Sequence, residues 1–368
     1  MPSSPRESTI LLLRKDEFQD RSASSRWSDP NGIATVSDRV RAVLLSNPSL
    51  AENDVIQLVG LKEGAVIGSA ISIAGRMIVE GHEHPVHWGS YLSVDPSARK
   101  TMLAFKLVKA FEELCPTSAV CGVSQAGYAL YKRIGWTDFE MPRHILLCHS
   151  RSVLEKKVGA SLSRWLRIPA DWALQAYNWR LLRPRSRRVE WHTSSEVPQE
   201  LAQRLTDSPT NSRNMFFART EQTVTWQLKG CVPAASGDCN FLVTFHAGGR
   251  LVGYAGARLK FFSVASAQGF RNVRLGSLYD WMIFDAQQLS FRDLAACASQ
   301  ELIARGADGV ELCATDAAEE AALRSMWLPR VGTNHLLWKA TKGSVLDDAR
   351  FRDRERWTIR PGDADLFM

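Results

Sequence analysis

Two segments of this sequence hold side chains that group transfer could use. His87-Trp88-Gly89-Ser90-Tyr91-Leu92-Ser93-Val94 alternates like a strand, breaks at Asp95-Pro96-Ser97, and then takes on helical spacing from Ala98 to Leu114. A strand that turns straight into a helix leaves unsatisfied backbone N–H groups pointing outward, and such a terminus binds phosphate. Further on, Ala129-Leu130-Tyr131-Lys132-Arg133-Ile134-Gly135-Trp136 places a phenol on the next helix. Tyr131 there could give a proton to a leaving group, or it could simply pack on an amphipathic helix. His87 titrates near neutrality and could accept a proton, although a histidine at a strand start also serves structure alone. Together these residues suggest transfer of a group from a phosphate-bearing cofactor.

The elements that must hold them form a mixed α/β pattern. Ile10 to Arg14 reads as a strand, and Ser37 to Leu45 as a capped helix. Val55 to Lys62 and Ala65 to Ile73 read as a hairpin across Glu63-Gly64. Ala119 to Val123 and Arg143 to Cys148 are further strands. From Pro198 onward the same order returns: helices, a hairpin turned by Ala247-Gly248-Gly249, a long strand (Gly276 to Phe284), a helix (Phe291 to Arg305), then strand, helix and strand to Ala340. The repeat of elements suggests a duplicated fold.

Composition sets bounds on this reading. With 45% hydrophobic and 23% charged residues, the 368-residue chain reads as globular, with length for two domains. No apolar run approaches the roughly 18 residues of a membrane span. The polar start, Met1 to Glu7, does not read as a secretion signal, so a cytoplasmic protein is expected. Seven scattered cysteines without a Cys-x-x-Cys pair suggest reduced core thiols. His82-Glu83-His84 looks like a solvated turn, and no metal is expected.

The net charge of +7 is concentrated in one segment. Between Arg151 and Glu190 there are ten Lys and Arg against three acidic residues, which accounts for the whole surplus. Both halves are balanced, so nucleic acid is not an expected partner. Within this segment Leu162, Trp165, Leu166, Trp172, Ala173, Ala176 and Trp179 recur at spacings of three and four, and Pro169 reads as a break between two short helices. The segment reads as a connector packed against both domains. Alternatives are a peripheral membrane contact through residues 160–188, since Trp and Arg suit an anionic leaflet, or contact with RNA.

The residues from Val94 to Ala104, coupled to the later Leu130-Tyr131-x-x-x-Gly135-Trp136 element, resemble the GNAT superfamily of acyl-CoA-dependent N-acyltransferases. Val94-x-Pro96 matches the end of that family's fourth strand, and Arg99 and Ala104 match its phosphate loop. Lys100 and Met102 replace usual glycines, and Trp136 stands for phenylalanine. The resemblance covers about residues 10 to 150. It implies that the fourth and fifth strands splay and that acetyl-CoA or another acyl-CoA lies in the gap. Backbone groups of Leu92, Ser93 and Val94 would then hold the pantetheine arm, and Arg99, Lys100, Thr101, Met102 and Ala104 the pyrophosphate. Tyr131 would protonate the leaving thiolate, His87 is the candidate base, and Tyr91 faces the acceptor.

The second half lacks these motifs, which suggests a GNAT-like domain without cofactor binding. Its Asp280, on an otherwise apolar strand, could grip a substrate amine or could sit in a structural ion pair. The expected architecture is α/β (α+β): two GNAT-like domains, each a mixed, mostly antiparallel twisted sheet flanked by helices. The expected bounds are 8–150 for the acyltransferase domain, 151–188 for the connector, 189–342 for the degenerate domain and 343–368 for a tail that folds back. The expected activity is acyl transfer to an amine on a small molecule such as an amino sugar. The alternatives are a Fem-like aminoacyl-tRNA-dependent transferase, whose connector would meet tRNA, and a non-catalytic binding protein. Oligomeric state is not legible.

Overall fold

The computed structural model describes residues 8–20, 27–184, 189–207, 214–215, 217–230, 237–262 and 272–363. The first half runs β1 (Thr9–Arg14), α1 (Lys15–Gln19), α2 (Asp38–Leu45), β2 (Val55–Lys62), β3 (Ala65–Val79), β4 (His82–Val94), α3 (Leu103–Glu112), β5 (Thr117–Cys121), α4 (Gln125–Arg133) and β6 (Thr137–Leu147). The long helix α5 (Arg151–Leu181) follows. The second half runs β7 (Val189–Ser194), α6 (Gln199–Asp207), β8 (Asn214–Met215), α7 (Glu221–Gly230), β9 (Cys239–Ala247), β10 (Arg250–Phe262), β11 (Val273–Ile283), α8 (Phe291–Ala304), β12 (Gly309–Cys313), α9 (Ala317–Ser325) and β13 (Arg330–Ala340). A tail carrying β14 (Trp357–Thr358) folds back to pair with β8.

The two repeats join in one sheet of order β1-β2-β3-β4-β5-β13-β6-β12-β11-β10-β9-β7. This order is a palindrome of the repeat, and its centre is the antiparallel pair β6 and β13. β13 pairs with β5 of the first half, and β6 pairs with β12 of the second. Each half therefore closes its sheet with the other's last strand. That exchange removes two hydrophobic sheet edges that separate domains would expose.

Helices cover both faces. Leu103, Leu107 and Phe111 of α3, with Tyr131 of α4, pack on Leu58, Ala70, Val120 and Leu337. Leu294, Ala298 and Leu302 of α8, with Leu323 of α9, pack in the equivalent place on the second half. Glycines allow α3 to come close to the sheet: a Cβ at Gly60 would lie 2.8 Å from Leu103, and one at Gly68 2.9 Å from it.

Two expectations need correction. The helix expected from Ala98 begins five residues later, because Asp95 and Pro96 tighten residues Pro96–Ala98 into a 3-10 turn first. The connector is a single 31-residue helix that runs through Pro169, not two helices. Proline there removes one backbone bond, and around it α5 is largely exposed, so water can serve the freed carbonyl. The side chains of Lys156, Lys157, Leu162 and Arg164, all of Arg185, Arg187, Arg188 and Cys231, and the tail beyond Asp363 lie outside the described residues. Among the described residues no helix is long and apolar enough to cross a membrane.

Candidate active site

β4 and β5 run parallel for three residue pairs only: His87↔Ser118, Trp88↔Ala119 and Gly89↔Val120. Beyond Gly89, β4 continues to Val94 and, among the described residues, has no strand partner on that side. The cause is visible in the β3–β4 ladder, where Ser90 pairs with Ile71 and Ser93 with Ser69. Tyr91 and Leu92 together oppose Ala70, which is a β-bulge, and bulges bend the strand that carries them. Tyr91 has φ +51°, a conformation that costs a bulky residue about 1–3 kcal/mol and persists where the surroundings impose it. Its side chain is exposed. Leu92, Ser93 and Val94 thus border an open wedge between two splayed strands.

Past Val94 the chain turns through a 3-10 segment, Pro96–Ala98, before α3 begins. The Asp95 carboxylate accepts hydrogen bonds from the Ser97 N–H (2.8 Å), the Ser97 hydroxyl (2.5 Å) and Asn31 Nδ2 (2.8 Å). The Ser97 hydrogen bonds hold its pKa below the usual carboxylate range. The Thr101 hydroxyl donates to the Ala98 carbonyl (2.7 Å) and accepts from the Leu103 N–H (3.3 Å). The N–H groups of Ala104 and Phe105, in the first turn of α3, lack an intrahelical acceptor. Arg99, Lys100 and Met102 reach into solvent, Met102 being 61% exposed. No residue from 95 to 104 has positive φ, and Met102 has φ −79° and ψ 10°. The loop therefore holds its path without the glycines usual in the resembling family.

Tyr131 is fixed by the way α4 ends. The Gly135 N–H donates to the Lys132 carbonyl and the Trp136 N–H to the Tyr131 carbonyl, both at 3.1 Å, with Gly135 at φ +85°. This is a Schellman motif, which favours apolar contact between the residue after the glycine and the one five before it. The Tyr131 and Trp136 rings accordingly lie 4.6 Å apart. Trp136 is held in turn by its Nε1 donating to Glu112 (2.7 Å). The Leu-Tyr-x-x-x-Gly-Trp spacing is thus a helix stop that also orients the phenol. Tyr131 is 4% exposed, and burial, helped by the Glu112 carboxylate, pushes its pKa up, so the phenol stays protonated.

No family model matches the sequence, and no curated protein matches it. Solved structures do match. The fold aligns with Saccharomyces cerevisiae N-myristoyltransferase with bound myristoyl-CoA at TM-score 0.56 and 9% identity, over 92% of this chain and 85% of that one. It aligns with a GCN5-related N-acetyltransferase from Anabaena variabilis at TM-score 0.52 and 10% identity, over 91% and 73%. The chain has a tandem GNAT-like fold.

Within the first GNAT-like unit the structure separates His87 from the open wedge. It lies where β4 and β5 are still paired, buried, with Nδ1 2.8 Å from the Ser72 hydroxyl. Burial lowers its pKa, so the ring is neutral in the fold. The unfolded chain takes up the proton below the ordinary value of 6.5 and the folded one resists, so stability should fall as pH drops below that value. Melting temperatures measured across this range should decline with acid, and His87→Gln should flatten part of that slope. An unchanged slope in the variant would assign the acid sensitivity elsewhere.

One cluster near α4 escaped the sequence reading. His335 Nδ1 lies 3.0 Å from Asp138 Oδ1, and the Tyr128 hydroxyl donates to Asp138 Oδ2 at 2.8 Å. The Tyr128 and His335 rings are 4.4 Å apart. Tyr128 sits one turn before Tyr131 on the same helix. The shared β6–β13 pair assembles the cluster, and 197 residues of chain separate His335 from Asp138.

The second GNAT-like unit repeats the wedge and then fills it. β11 pairs with β12 only over Leu275 to Ser277, and Tyr279 is bulged between Leu278 and Asp280. From the tail, Arg360 donates through Nε to the Trp281 carbonyl (2.9 Å) and through Nη1 to the Thr315 hydroxyl (2.6 Å). Its guanidinium also lies 4.3 Å from the Trp281 ring centre and 3.4 Å from Glu319. Asp280 Oδ1 accepts from Arg219 Nε at 2.8 Å and Oδ2 from the Tyr254 hydroxyl at 2.6 Å, all three buried. Of the two roles left open for Asp280, these contacts describe the ion pair. His82 and His84 lie on β4, paired with Val79 and Met77 of β3. Among the described residues no group of three or more His, Cys, Asp or Glu side chains is placed to hold a metal ion.

Proposed function

We propose that this protein is an N-acyltransferase that moves an acyl group, acetyl in the simplest case, from acyl-CoA to an amine of a small molecule such as an amino sugar. The observation that carries this reading is the bulged, open wedge of the first unit, with a phosphate-loop geometry at its mouth and a buried, protonated phenol on the adjoining helix. The N-terminal unit would do the chemistry, and the second would shape the acceptor pocket.

In this mechanism Lys100, Arg99 and the first N–H groups of α3 take the pyrophosphate. The edge of β4 from Leu92 to Val94 that faces away from β3 holds the pantetheine arm and places an N–H near the thioester carbonyl. The neutral amine attacks that carbonyl carbon, and the oxyanion formed is stabilised by such donors. Collapse breaks the C–S bond, and Tyr131 gives its proton to the departing thiolate. The proton lost by the amine needs an acceptor; His335, oriented by Asp138 and lying against the ring of Tyr128, one helical turn before Tyr131, offers one, whereas His87 is buried at the closed end. Tyr91, exposed at the bulge, would contact the acceptor.

Calorimetry with acetyl-CoA and with longer acyl-CoA tests this reading. Saturable binding is expected, followed by amine-dependent thiol release insensitive to RNase; absence of binding at millimolar ligand would overturn it. Met102→Asp sharpens the test, because aspartate is the better N-cap while its charge opposes the pyrophosphate. The variant should melt no lower than the parent, gaining up to about 1 kcal/mol, yet bind CoA at least tenfold more weakly. Equal affinity would place the phosphates elsewhere.

A further inference from the structure

Three tryptophans on α5 recur at seven-residue intervals and face solvent. Trp165 is 83% exposed, Trp172 74% and Trp179 72%. Residues seven apart fall about 20° from each other around a helix, so the three form one stripe, which Ile168 widens. The docked side of the helix lies opposite: Asn178 donates to the Leu147 carbonyl (2.8 Å), and Leu181 is buried in the second unit's core. Nearby, the Tyr177 hydroxyl donates to the carbonyl of Trp327, which is 79% exposed at φ +52°. All other tryptophans of the chain are buried or half-buried.

We propose that α5 is a peripheral membrane-docking element that lays its tryptophan stripe on an anionic phospholipid surface. From Trp165 to Trp179 the stripe spans about 21 Å along the helix axis, room for three indoles to enter the headgroup region side by side. Charge complementarity selects the anionic leaflet. The segment holds the chain's entire positive surplus, Arg180 is exposed, and the Arg183 guanidinium stands 5.9 Å from the Trp179 ring, where it can meet lipid phosphate. Tryptophan with arginine is the pairing that stable seating at a bilayer interface favours. A second copy of the helix fits less well. The positions that would complete a heptad seam are Ser161, Ile168, Gln175 and Leu182, two of them polar and the last turned into the protein's own core.

The inference does not depend on the transferase reading. It is tested with the full chain and vesicles of phosphatidylcholine with or without phosphatidylglycerol. Cosedimentation with the anionic vesicles is expected, with a blue shift of tryptophan emission, weaker binding as salt rises, and little binding to phosphatidylcholine alone. The combined variant Trp165→Ala, Trp172→Ala, Trp179→Ala should lose at least tenfold in vesicle affinity while keeping the parent's circular dichroism. Arg180→Glu with Arg183→Glu, which spares the stripe, should weaken binding chiefly at low salt. Failure of the parent chain to bind anionic vesicles would overturn the proposal. So would equal binding by the tryptophan variant, or a parent dimer in solution that the variant abolishes.

Discussion

Tyr131→Phe should lower kcat by about 10²- to 10³-fold, the scale on which a positioned proton donor acts, while leaving acyl-CoA affinity and melting temperature close to the parent's. The separation of the two readouts follows from the surroundings of the phenol. Tyr131 is held by ring packing on Trp136 and by its own backbone carbonyl in the helix stop. Phenylalanine keeps both contacts and removes only the acidic proton. The pH–rate profile gives a second check. Burial pushes the phenol pKa up, so no loss of the donor is expected on the alkaline side at moderate pH, and any fall there belongs to another group. Turnover retained in the variant would remove Tyr131 from the mechanism without touching the fold.

Asp280→Ala should be the most damaging single change for stability, by about 3–5 kcal/mol, because it leaves the Arg219 guanidinium buried without its counter-charge. It also strips the Tyr254 hydroxyl of its acceptor. Chemical denaturation measures the effect. Asp280→Asn, which can still accept hydrogen bonds, should cost less. Removing both charges, as in Asp280→Leu with Arg219→Met, should recover much of the loss, since an apolar pair of similar volume avoids desolvating two ions. If Asp280→Ala were nearly neutral, the aspartate would have to be solvated, and a substrate-gripping role would regain ground.

The candidate site was legible where its geometry is local. The break at Asp95-Pro96, the loop carrying Arg99 and Lys100, and the Tyr131–Gly135–Trp136 stop each depend on neighbours within a few residues, through caps and turns that residue type specifies. The duplicated order of elements was legible for the same reason. Met102 shows the limit of motif comparison: it departs from the resembling family's glycine, yet ordinary backbone angles and an exposed side chain let the loop keep its path. Pro169 shows the opposite limit. A proline usually ends a helix, but here α5 runs on through a largely exposed stretch.

By itself, then, the sequence determined most of the elements, their repeated order, the turn at Asp95-Pro96 and the helix stop that orients Tyr131, because short-range sterics and hydrogen bonding settle those. Tertiary structure alone decided how the halves combine. Only the folded sheet shows β13 passing between β5 and β6, which brings His335 to Asp138, and only it shows Arg360 filling the second wedge. It also buries His87 and pairs Asp280 with Arg219. Those outcomes rest on contacts between residues far apart in the chain, and strand partnership across such distances follows from pairing the inner edges of both halves at once, which no local spacing encodes.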